Sequence, residues 1–430
     1  MAITGRTALL TLAGAVPVAL APGWAMLLGW VGVVIALVGI DLALAGRLTT
    51  VTVTREPLRS VRLGEPTSSA VLVTNTGPRA VRGVVRDAWQ PSAGAHPTRQ
   101  QLVVPAGERR RVVTQLRPVR RGDRLATGLT VRSVGPLGLG ARQRTLAASG
   151  RLRVLPPFTS RKHLPSKLAR LRELDGRTSL QVRGQGTEFD SLRDYVIGDD
   201  VRAIDWRATA RRQQVVVRTW RPERDRRVLI VLDTSRTSAA RIGDEPRLDA
   251  SMDAALLLAA LAARAGDRVD LLAVDRRVRA RVEGASRTEL LPAMVEAMAP
   301  LEADLVEADW TTIVATVRAR LSHRALVVLL TSLDSAAVDQ GLLPVLAQLT
   351  SHHLVVLASV SDPALAEMAA GREDAHAVYG AAAATRTLLD QDGLAAELRR
   401  FGVEVVTGTP DHLPPRLADR YLNLKATGRL

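Results

Sequence analysis

The chain has 430 residues, of which 47% are hydrophobic, and it carries a formal net charge of +16 and no cysteine. A hydrophobic content of this size supports folded domains with proper cores and argues against wholesale disorder. The absence of cysteine excludes disulfide bonds, thiolate metal sites and a cysteine nucleophile. The positive charge is concentrated, because residues 47–153 contain twenty arginines against five acidic residues.

Two nearly uncharged stretches lie near the N-terminus, residues 7–21 and 24–45, separated by a Pro-Gly pair. The second is long enough to cross a bilayer core of about 30 Å as a helix rising 1.5 Å per residue. The first is shorter and contains Pro17. A signal peptide is the alternative, but its cleavage would leave Pro22 at the first mature position, which is unfavourable. We therefore predict two transmembrane helices within residues 1–47.

The charges around this hairpin predict its orientation. Arg6 precedes the first stretch, Arg47 and Arg55 follow the second, and the connecting turn is uncharged. The positive-inside rule then places both ends in the cytoplasm. We expect a multi-pass protein of the inner or plasma membrane whose soluble domains face the cytoplasm.

Residues 48–155 show a different pattern, in which short β-type runs alternate with Gly- and Pro-containing turns. This pattern is typical of a small β-sandwich, here a basic one. The runs are residues 50–54, 70–74, 81–86, 101–104, 111–116 and 129–134.

Arginines alternate with apolar residues in these runs, as in residues 82–86. One interpretation is a solvated arginine face. The other is attraction to anionic membrane lipids, since this domain directly follows the membrane segment. We expect no nucleic acid partner, because Trp89 is the segment's one aromatic residue and offers no stacking platform.

Residues 156–226 combine a basic linker, up to about residue 180, with a dense polar segment. The carboxylates of this segment could form a ligand site, but an internal network of ion pairs with arginine is the favoured interpretation. Trp206, Trp220 and Tyr195 are expected to pack the segment onto the following domain. As the interaction motif we select Glu188, Arg193, Asp199, Asp200, Arg202, Asp205, Trp206 and Arg211.

Strands and helices alternate in residues 227–430, which predicts a doubly wound, Rossmann-like parallel sheet. Strands are predicted at residues 228–232, 269–274, 278–282, 325–330, 354–358 and 403–406. Helices are predicted at residues 248–265, 288–298, 311–321, 342–349 and 388–400, the second behind a capping box of Ser286 and Glu289. The first strand ends at Asp233, followed by Ser235 and Thr237, where open α/β sheets bind ligands.

The polar segment and the strand after it resemble a bacterial family, the domain of unknown function numbered 58. The motif reads G-x-E-F-x-x-L-R-x-Y-x-x-G-D-D-x-R-x-I-D-W-x-A-T-A-R, followed by a strand ending in D-x-S-x-[ST]. The resemblance implies a membrane hairpin, a β-rich domain and a von Willebrand factor A-like α/β domain. It also implies a partner of MoxR-type AAA+ ATPases rather than an enzyme. The matching residues are Gly186, Glu188, Phe189, Leu192, Arg193, Tyr195, Gly198, Asp199, Asp200, Arg202, Ile204, Asp205, Trp206, Ala208, Thr209, Ala210 and Arg211.

In von Willebrand A-like domains, D-x-S-x-S forms a metal-ion-dependent adhesion site. By this resemblance, Asp233, Ser235 and Thr237 would hold Mg²⁺ through oxygen ligands that suit a hard cation. The fourth strand is followed by Ser332 where the family has Asp, and Asp334 lies two positions on. The site is therefore degenerate, and a metal-free loop that contacts another protein is the alternative.

An enzyme is the competing class. The D-x-S start resembles the D-x-D-x-T of haloacid-dehalogenase-type phosphatases, in which Asp233 would be the nucleophile. The acid/base position is Ser235 here, and a hydroxyl cannot perform that role at neutral pH. We expect no catalytic residue and no enzymatic activity. The sequence predicts a membrane-anchored interaction module, for which the family resemblance implies a role in envelope or complex assembly, with a phosphatase-like hydrolase as the alternative.

Overall fold

A computed structural model describes residues 2–181, 188–221 and 226–430 of the chain. The chain divides into two compact units, Met1–Leu155 and Pro156–Leu430. Both helices and several β-sheets are present, so the mixed α/β architecture predicted from the sequence is confirmed.

The first unit begins with three apolar helices, α1 (Gly5–Ala13), α2 (Ala15–Leu20) and α3 (Trp24–Leu44). Of the described helices, α3 alone is long and apolar enough to cross a membrane, by length and composition. Its side chains are apolar on every side, and only Val34 and Asp41 are buried. Such a helix suits a lipid environment better than the surface of a water-soluble domain.

The shorter helices pack against α3. The break between α1 and α2 falls at Gly14, where an added Cβ would lie 2.2 Å from the Trp30 ring. The Trp30 indole also donates to the carbonyl of Leu10 at 3.3 Å. The missing side chain at Gly14 therefore permits close approach of the two apolar segments.

Two sheets form the rest of this unit. One contains β1 (Ala2–Ile3), β3 (Val61–Arg62), β5 (Val81–Trp89), β7 (Gln100–Val104), β9 (Gly122–Val134), β10 (Gly140–Leu146) and β11 (Gly150–Leu155). The other contains β2 (Val51–Arg55), β4 (Thr67–Asn75), β6 (Ala95–His96) and β8 (Arg109–Leu116). Val71 and Val73 of β4 share one buried cluster with Leu129 and Val131 of β9, so the two sheets pack face to face.

The second unit is built on a six-stranded sheet of β14 (Arg227–Asp233), β17 (Arg268–Val274), β18 (Val278–Val282), β19 (Leu326–Leu330), β20 (Leu354–Val360) and β21 (Glu404–Gly408). The spatial order is β18-β17-β14-β19-β20-β21, and all neighbours are parallel except β17 and β18. The chain thus winds outward from β14 in both directions, as in doubly wound sheets. The antiparallel edge strand β18 departs from the all-parallel prediction.

Helices cover both faces of this sheet. They are α6 (Arg247–Arg264), α7 (Leu290–Met298), α8 (Trp310–Arg320), α9 (Ser335–Ala337), α10 (Leu343–Thr350), α11 (Pro363–Ala370), α12 (Ala375–Arg400) and α13 (Leu413–Ala426), with the two-residue strands β15 (Arg241–Ile242) and β16 (Glu245–Pro246) before α6. Leu229 and Val231 of β14 pack against α8, α10 and α12, while α6 contacts β14 from its other face. Side chains on both faces of β14 are buried, and residues 228–232 of this strand are accordingly all apolar.

Two local predictions are wrong. The expected basic linker contains α4 (Leu164–Gln181), because Leu164, Leu168 and Leu171 recur at helical spacing and Leu171 is buried. The expected capping box does not form. Ser286 Oγ bonds to the Glu289 side chain instead of a backbone N–H, and α7 begins only at Leu290.

The polar segment forms a small antiparallel hairpin, here called the signature hairpin (residues 188–221). Its strands are β12 (Glu188–Asp194) and β13 (Val216–Arg221), and between them lie a 3-10 turn (Val201–Ala203) and α5 (Trp206–Arg212). Val216 and Val217 are its buried apolar residues among those whose side chains are described. Few buried side chains hold this element together, so its hydrogen bonds carry much of its order.

Candidate functional site

The carboxyl end of β14 places a buried carboxylate at the sheet edge. Asp233 is 2% exposed, and its Oδ1 accepts the backbone N–H of Ser235 at 2.8 Å. Its Oδ2 accepts the hydroxyl of Thr237 at 3.0 Å, and that hydroxyl lies 3.2 Å from the Ser235 Oγ. The structure therefore brings Asp233, Ser235 and Thr237 into one hydrogen-bonded cluster.

Thr331 joins this cluster, and the sequence analysis missed it. Its hydroxyl donates to Asp233 Oδ2 at 2.6 Å across a separation of 98 residues. Thr331 follows β19, the neighbour of β14, and the order of strands reverses between these two. This reversal is the point at which doubly wound sheets bind ligands. The rule that selected Asp233, a polar residue directly after a buried apolar strand, would also have selected Thr331.

Asp334, the fourth predicted metal ligand, does not hydrogen-bond to the cluster. Its side chain is exposed, and its Oδ1 accepts the backbone N–H of Ala337 at 3.1 Å as the N-cap of α9. It lines a neighbouring cleft of about 70 Å³ at the same edge of the sheet. The polar residues of this cleft are Arg247, Ser332, Asp334, Ser359, Ser361 and Gln391.

A positively charged residue, Arg247, lines the cleft at this edge of the sheet. Its guanidinium donates to the carbonyl of Thr237 at 2.9 Å. Burial lowers the pKa of Arg247, while the charges of Asp362, Asp334 and Asp233 act in the opposite direction. Within the described part of the chain, the buried Nε of Arg247 and the buried Oγ of Ser332 have no hydrogen-bond partner. Unpaired buried polar atoms are uncommon and occur preferentially at functional sites.

The donor set fits Mg²⁺ in its chemistry. Asp233 and the hydroxyls of Ser235, Thr237 and Thr331 supply hard oxygen ligands within one cluster. The positive charge of Arg247 disfavours a metal cation close to it, since like charges repel strongly where water is excluded. No group of three His, Cys, Asp or Glu side chains with the spacing of a metal site occurs in residues 2–181, 188–221 and 226–430. A metal at this edge would therefore depend on hydroxyl ligands.

A second buried carboxylate lies at the end of β17. Asp275 is 1% exposed, and it accepts the hydroxyl of Thr234 at 3.0 Å and the Arg279 guanidinium at 3.2 Å. Backbone N–H groups of Arg276 and Arg277 complete its hydrogen bonds. These hydrogen bonds tie Asp275 to the loops that follow β14 and β17 and fix the backbone beside Asp233.

In the signature hairpin, Asp199, Asp200 and Asp205 are used internally. Both oxygens of Asp199 accept the guanidinium of Arg193, at 2.6 and 2.8 Å, and Oδ2 also accepts the Val196 N–H at 2.9 Å. The hydrogen bond from Arg193 is the largest cause that lowers the pKa of Asp199. This pair agrees with the predicted ion-pair network.

The other two acids cap short helical turns. Asp200 accepts the N–H of Arg202 at 2.9 Å, and Asp205 accepts those of Arg207 and Ala208 at 3.0 Å. The Ala208 N–H and then the Arg218 guanidinium lower the pKa of Asp205. Both carboxylates hold the backbone of the hairpin in shape.

Apolar side chains remain on the surface of this hairpin. Ile197 is 96% exposed, and Val196 and Val201 are also exposed. Trp206 is 68% exposed, so the expectation that it packs onto the following domain is wrong. Trp206 is the first residue of α5, where the cap by Asp205 turns it outward instead of into a core.

The remaining selected residues complete the description of the hairpin. Arg202 and Arg211 are exposed, and Tyr195 is half-buried. The side chains of Glu188 and Trp220 lie outside the described residues. Among the residues that the structure describes, Arg202 has no polar contact besides the cap that Asp200 provides to its N–H.

A protein-family model matches part of the chain. Residues 191–390 match the family described as "Protein of unknown function DUF58", so the family predicted from the sequence is confirmed over these residues. Its printed description assigns no activity. Among curated proteins, no sequence matches this chain significantly.

Solved structures give partial similarities. An aerotolerance-related membrane protein from Bacteroides fragilis is 13% identical, with a TM-score of 0.30, covering 47% of this chain and 99% of its own. The CARDB domain of the PF1109 protein from Pyrococcus furiosus is 16% identical, with a TM-score of 0.19, covering 24% of this chain and 86% of its own. The PapD-like domain 7 of human CEP192 is 15% identical, with a TM-score of 0.18, covering 24% and 85%. Similarities of this extent do not identify a function.

Proposed function

We propose that this chain is a membrane-anchored protein-interaction module. Its second unit, as a von Willebrand factor A-like domain, presents the carboxyl edge of its sheet to a cytoplasmic partner. The observation that carries this proposal is the buried cluster of Asp233, Ser235, Thr237 and Thr331 at the strand-order reversal. A buried carboxylate is costly, and packing alone gives no reason for one at that position. By resemblance, the partner is a MoxR-type AAA+ ATPase, and the pair acts in envelope or complex assembly.

The anchor is the N-terminal apolar hairpin. Helix α3 has the length and composition of a spanning helix, and α1 and α2 pack against it through Gly14 and Trp30. Arg6 and Arg47 are exposed at the two ends of the hairpin. These features support a multi-pass anchor whose two ends lie in the cytoplasm. A reporter that is active only outside the cytoplasm, fused after Leu430, is then expected to be silent, and strong activity would contradict this topology.

Mg²⁺ is part of the proposal. Asp233, Ser235 and Thr237 would hold it together with Thr331, and the ion would offer a free coordination position to an acidic group of the partner. The Ser235 N–H donates to Oδ1 of Asp233 and so holds this carboxylate in one orientation.

We expect no hydrolase activity. Both oxygens of Asp233 are engaged by donors, and the Ser235 position offers a hydroxyl where a phosphatase needs a carboxylic acid. The purified chain should not release phosphate from a general phosphatase substrate above the rate of Asp233→Asn.

The signature hairpin supplies a second contact surface in this proposal. Because Asp199, Asp200 and Asp205 are used internally, we assign the contact with a partner to the exposed side chains of Ile197 and Trp206. Exposed tryptophan is typical of interface hot spots.

The test measures binding of a purified MoxR-type ATPase to the full chain in lipid nanodiscs. Asp334→Arg reverses an exposed charge beside the cleft and is expected to weaken binding at least about tenfold. Asp392→Arg makes the same change at an exposed position of α12 and serves as the control, with binding within about twofold of the wild type. Equal affinities for both variants, or no binding by the wild type, would contradict the proposed function.

A further inference from the structure

The end of α3 is fastened to the β-sheets of its own unit by a buried carboxylate. Asp41 is fully buried and accepts three backbone N–H groups, from Leu137 and Leu139 at 2.7 Å and from Gly140 at 2.8 Å. These N–H groups belong to the turn between β9 and β10. The helix end and this turn therefore form one continuous piece of structure.

Arginines from distant parts of the sequence gather at the same helix end. Arg79 donates to the carbonyl of Ala43, and Arg142 donates to that of Leu42 at 3.1 Å. Arg144 donates to the carbonyl of Leu48 at 3.4 Å, and the Arg6 guanidinium lies against Gly138 in the β9–β10 turn. We call Arg6, Arg79, Arg142 and Arg144 the arginine collar. Cations are favoured at the C-terminal end of a helix, where carbonyls lack partners.

The collar has unused charge and unused donors. Arg6, Arg79 and Arg144 are exposed and Arg142 is half-buried. Across the described ranges, no carboxylate forms an ion pair with any of these four. Elsewhere in the unit, Arg55 pairs with Asp87 and Arg153 with Asp123. Each guanidinium has five N–H donors, and one or two contacts to carbonyls leave the others free.

The length of α3 places the collar at a membrane surface. Its 21 residues span about 31 Å at 1.5 Å per residue, which is close to the thickness of a bilayer core. Trp24, 79% exposed, begins the helix at the depth where tryptophan is enriched, and Leu42 and Ala43 then lie at the opposite headgroup level. Guanidinium groups at that level meet lipid phosphates, with which they form bidentate hydrogen bonds.

We propose that the arginine collar binds the phosphate groups of anionic lipids where α3 leaves the membrane. The proposal rests on the membrane anchoring proposed above and places the lipid contacts at Arg6, Arg79, Arg142 and Arg144. It differs from the sequence-based expectation, which pointed to the alternating arginines of β5.

The experiment uses the detergent-purified full chain with equimolar phosphatidylglycerol and phosphatidylcholine, and native mass spectrometry counts the lipids that remain bound. The wild type is expected to retain phosphatidylglycerol about tenfold over phosphatidylcholine. Each guanidinium removed should reduce this ratio about threefold, so Arg79→Gln with Arg144→Gln should bring it near unity. Arg79→Lys with Arg144→Lys keeps the charge and should retain most of the preference.

The control is Arg117→Gln with Arg120→Gln. Both arginines are exposed, and they follow Leu116, which pairs with Thr67 at the far end of β4 from the membrane helix. This variant loses the same charge and should keep the wild-type ratio, with circular dichroism confirming that every variant is folded. An equal loss in the control would overturn the collar as the site, and so would an unchanged ratio in the collar variant.

Two further measurements separate lipid from free phosphate and this inference from the anchoring. Inorganic phosphate should displace no more phosphatidylglycerol than sodium chloride of equal ionic strength, and a phosphate-specific loss would overturn the lipid assignment. If alkaline carbonate extracts the full chain from membranes, the anchoring itself fails. If the chain stays in the membrane but shows no lipid preference, the proposed lipid binding by the arginine collar fails and the anchoring does not.

Discussion

Asp233 and Asp199 each accept hydrogen bonds through both carboxylate oxygens, yet they lie in very different surroundings. Asp233 is 2% exposed, and its donors come from its own loop and from Thr331 after the neighbouring strand. Asp199 is partly exposed, and its donors, Arg193 and Val196, lie within six residues of it. One carboxylate joins distant parts of the sheet, and the other shapes a local turn.

This difference shows where each region can meet a partner. At the strand end, polar atoms converge beside a cleft that contains Arg247 and Asp334. In the signature hairpin, Asp199, Asp200 and Asp205 are used internally, and the apolar side chains of Ile197 and Trp206 are exposed. A high density of acids in a motif is therefore not evidence that the acids themselves make the contact.

The largest expected effect tests the burial of Asp233. Asp233→Ala leaves the Ser235 N–H and the hydroxyls of Thr237 and Thr331 without their acceptor, and the free energy of unfolding should fall by about 3 kcal/mol. Asp334→Ala removes only an exposed N-cap and should cost about 1 kcal/mol. Denaturant unfolding of the full chain in detergent measures both. Equal losses would remove the distinction between the buried and the exposed acid.

The second-largest expected effect is stabilisation of the fold by Mg²⁺. This stabilisation should depend on Asp233 at the strand end and not on the signature hairpin. If the ion binds there, a hundredfold excess over its Kd stabilises the wild type by about 2.7 kcal/mol. Asp233→Asn should lose this gain, whereas Asp199→Asn in the hairpin should keep it. The midpoint of thermal unfolding is measured with Mg²⁺ and with a chelator. A wild-type midpoint that is the same in both conditions would contradict the metal site.

The exposed apolar surface of the hairpin supplies the third prediction. Trp206→Ala should weaken ATPase binding by about 2 kcal/mol, or about 30-fold, because a desolvated tryptophan is lost from the interface. Folding should hardly change, since Trp206 is already exposed. Tyr379→Ala removes an aromatic side chain that is 78% exposed on α12 and is the matched control. Similar binding by both variants would exclude the hairpin surface.

The smallest effect concerns pH. The pKa values of Asp199 and Asp205 are lowered, chiefly by Arg193 and by the Ala208 N–H. Their contribution to stability is present above the unfolded-state pKa of about 3.9 and is lost as pH falls through the lowered folded values. Hydrogen exchange of residues 188–221, corrected for intrinsic rates, should thus be unchanged between pH 5 and pH 8. A loss of protection within that range would mean that these ion pairs do not hold the hairpin.

The sequence predicted the sheet and the position of Asp233 because both depend on local pattern. An uninterrupted apolar run followed by Asp-x-Ser predicts a buried strand and its polar end, and the structure has β14 there. Thr331 also follows a buried apolar strand and could have been selected by the same rule, but Arg247 could not, because only the packing of α6 brings it to this edge. Trp206 was placed wrongly because aromatic residues are usually buried, and a local cap overrides that tendency.

The first unit shows the same limit. Six of its strands were predicted from alternation and turns, but the arginine collar was not, because its members are up to 138 positions apart in the sequence. Net charge left two interpretations of the unit, a solvated arginine face and attraction to an anionic surface. It did not indicate which arginines gather around the helix end, since that depends on the turn that Asp41 fixes.

The central claim is that the partner meets the strand-end edge and the signature hairpin. Hydrogen exchange of the full chain in nanodiscs, with and without the purified ATPase, tests it most directly. The account predicts added protection at residues 195–206 and 331–337, and none at residues 375–390 of α12. Protection confined to α12, or absent from both predicted segments while the complex is formed, would contradict it.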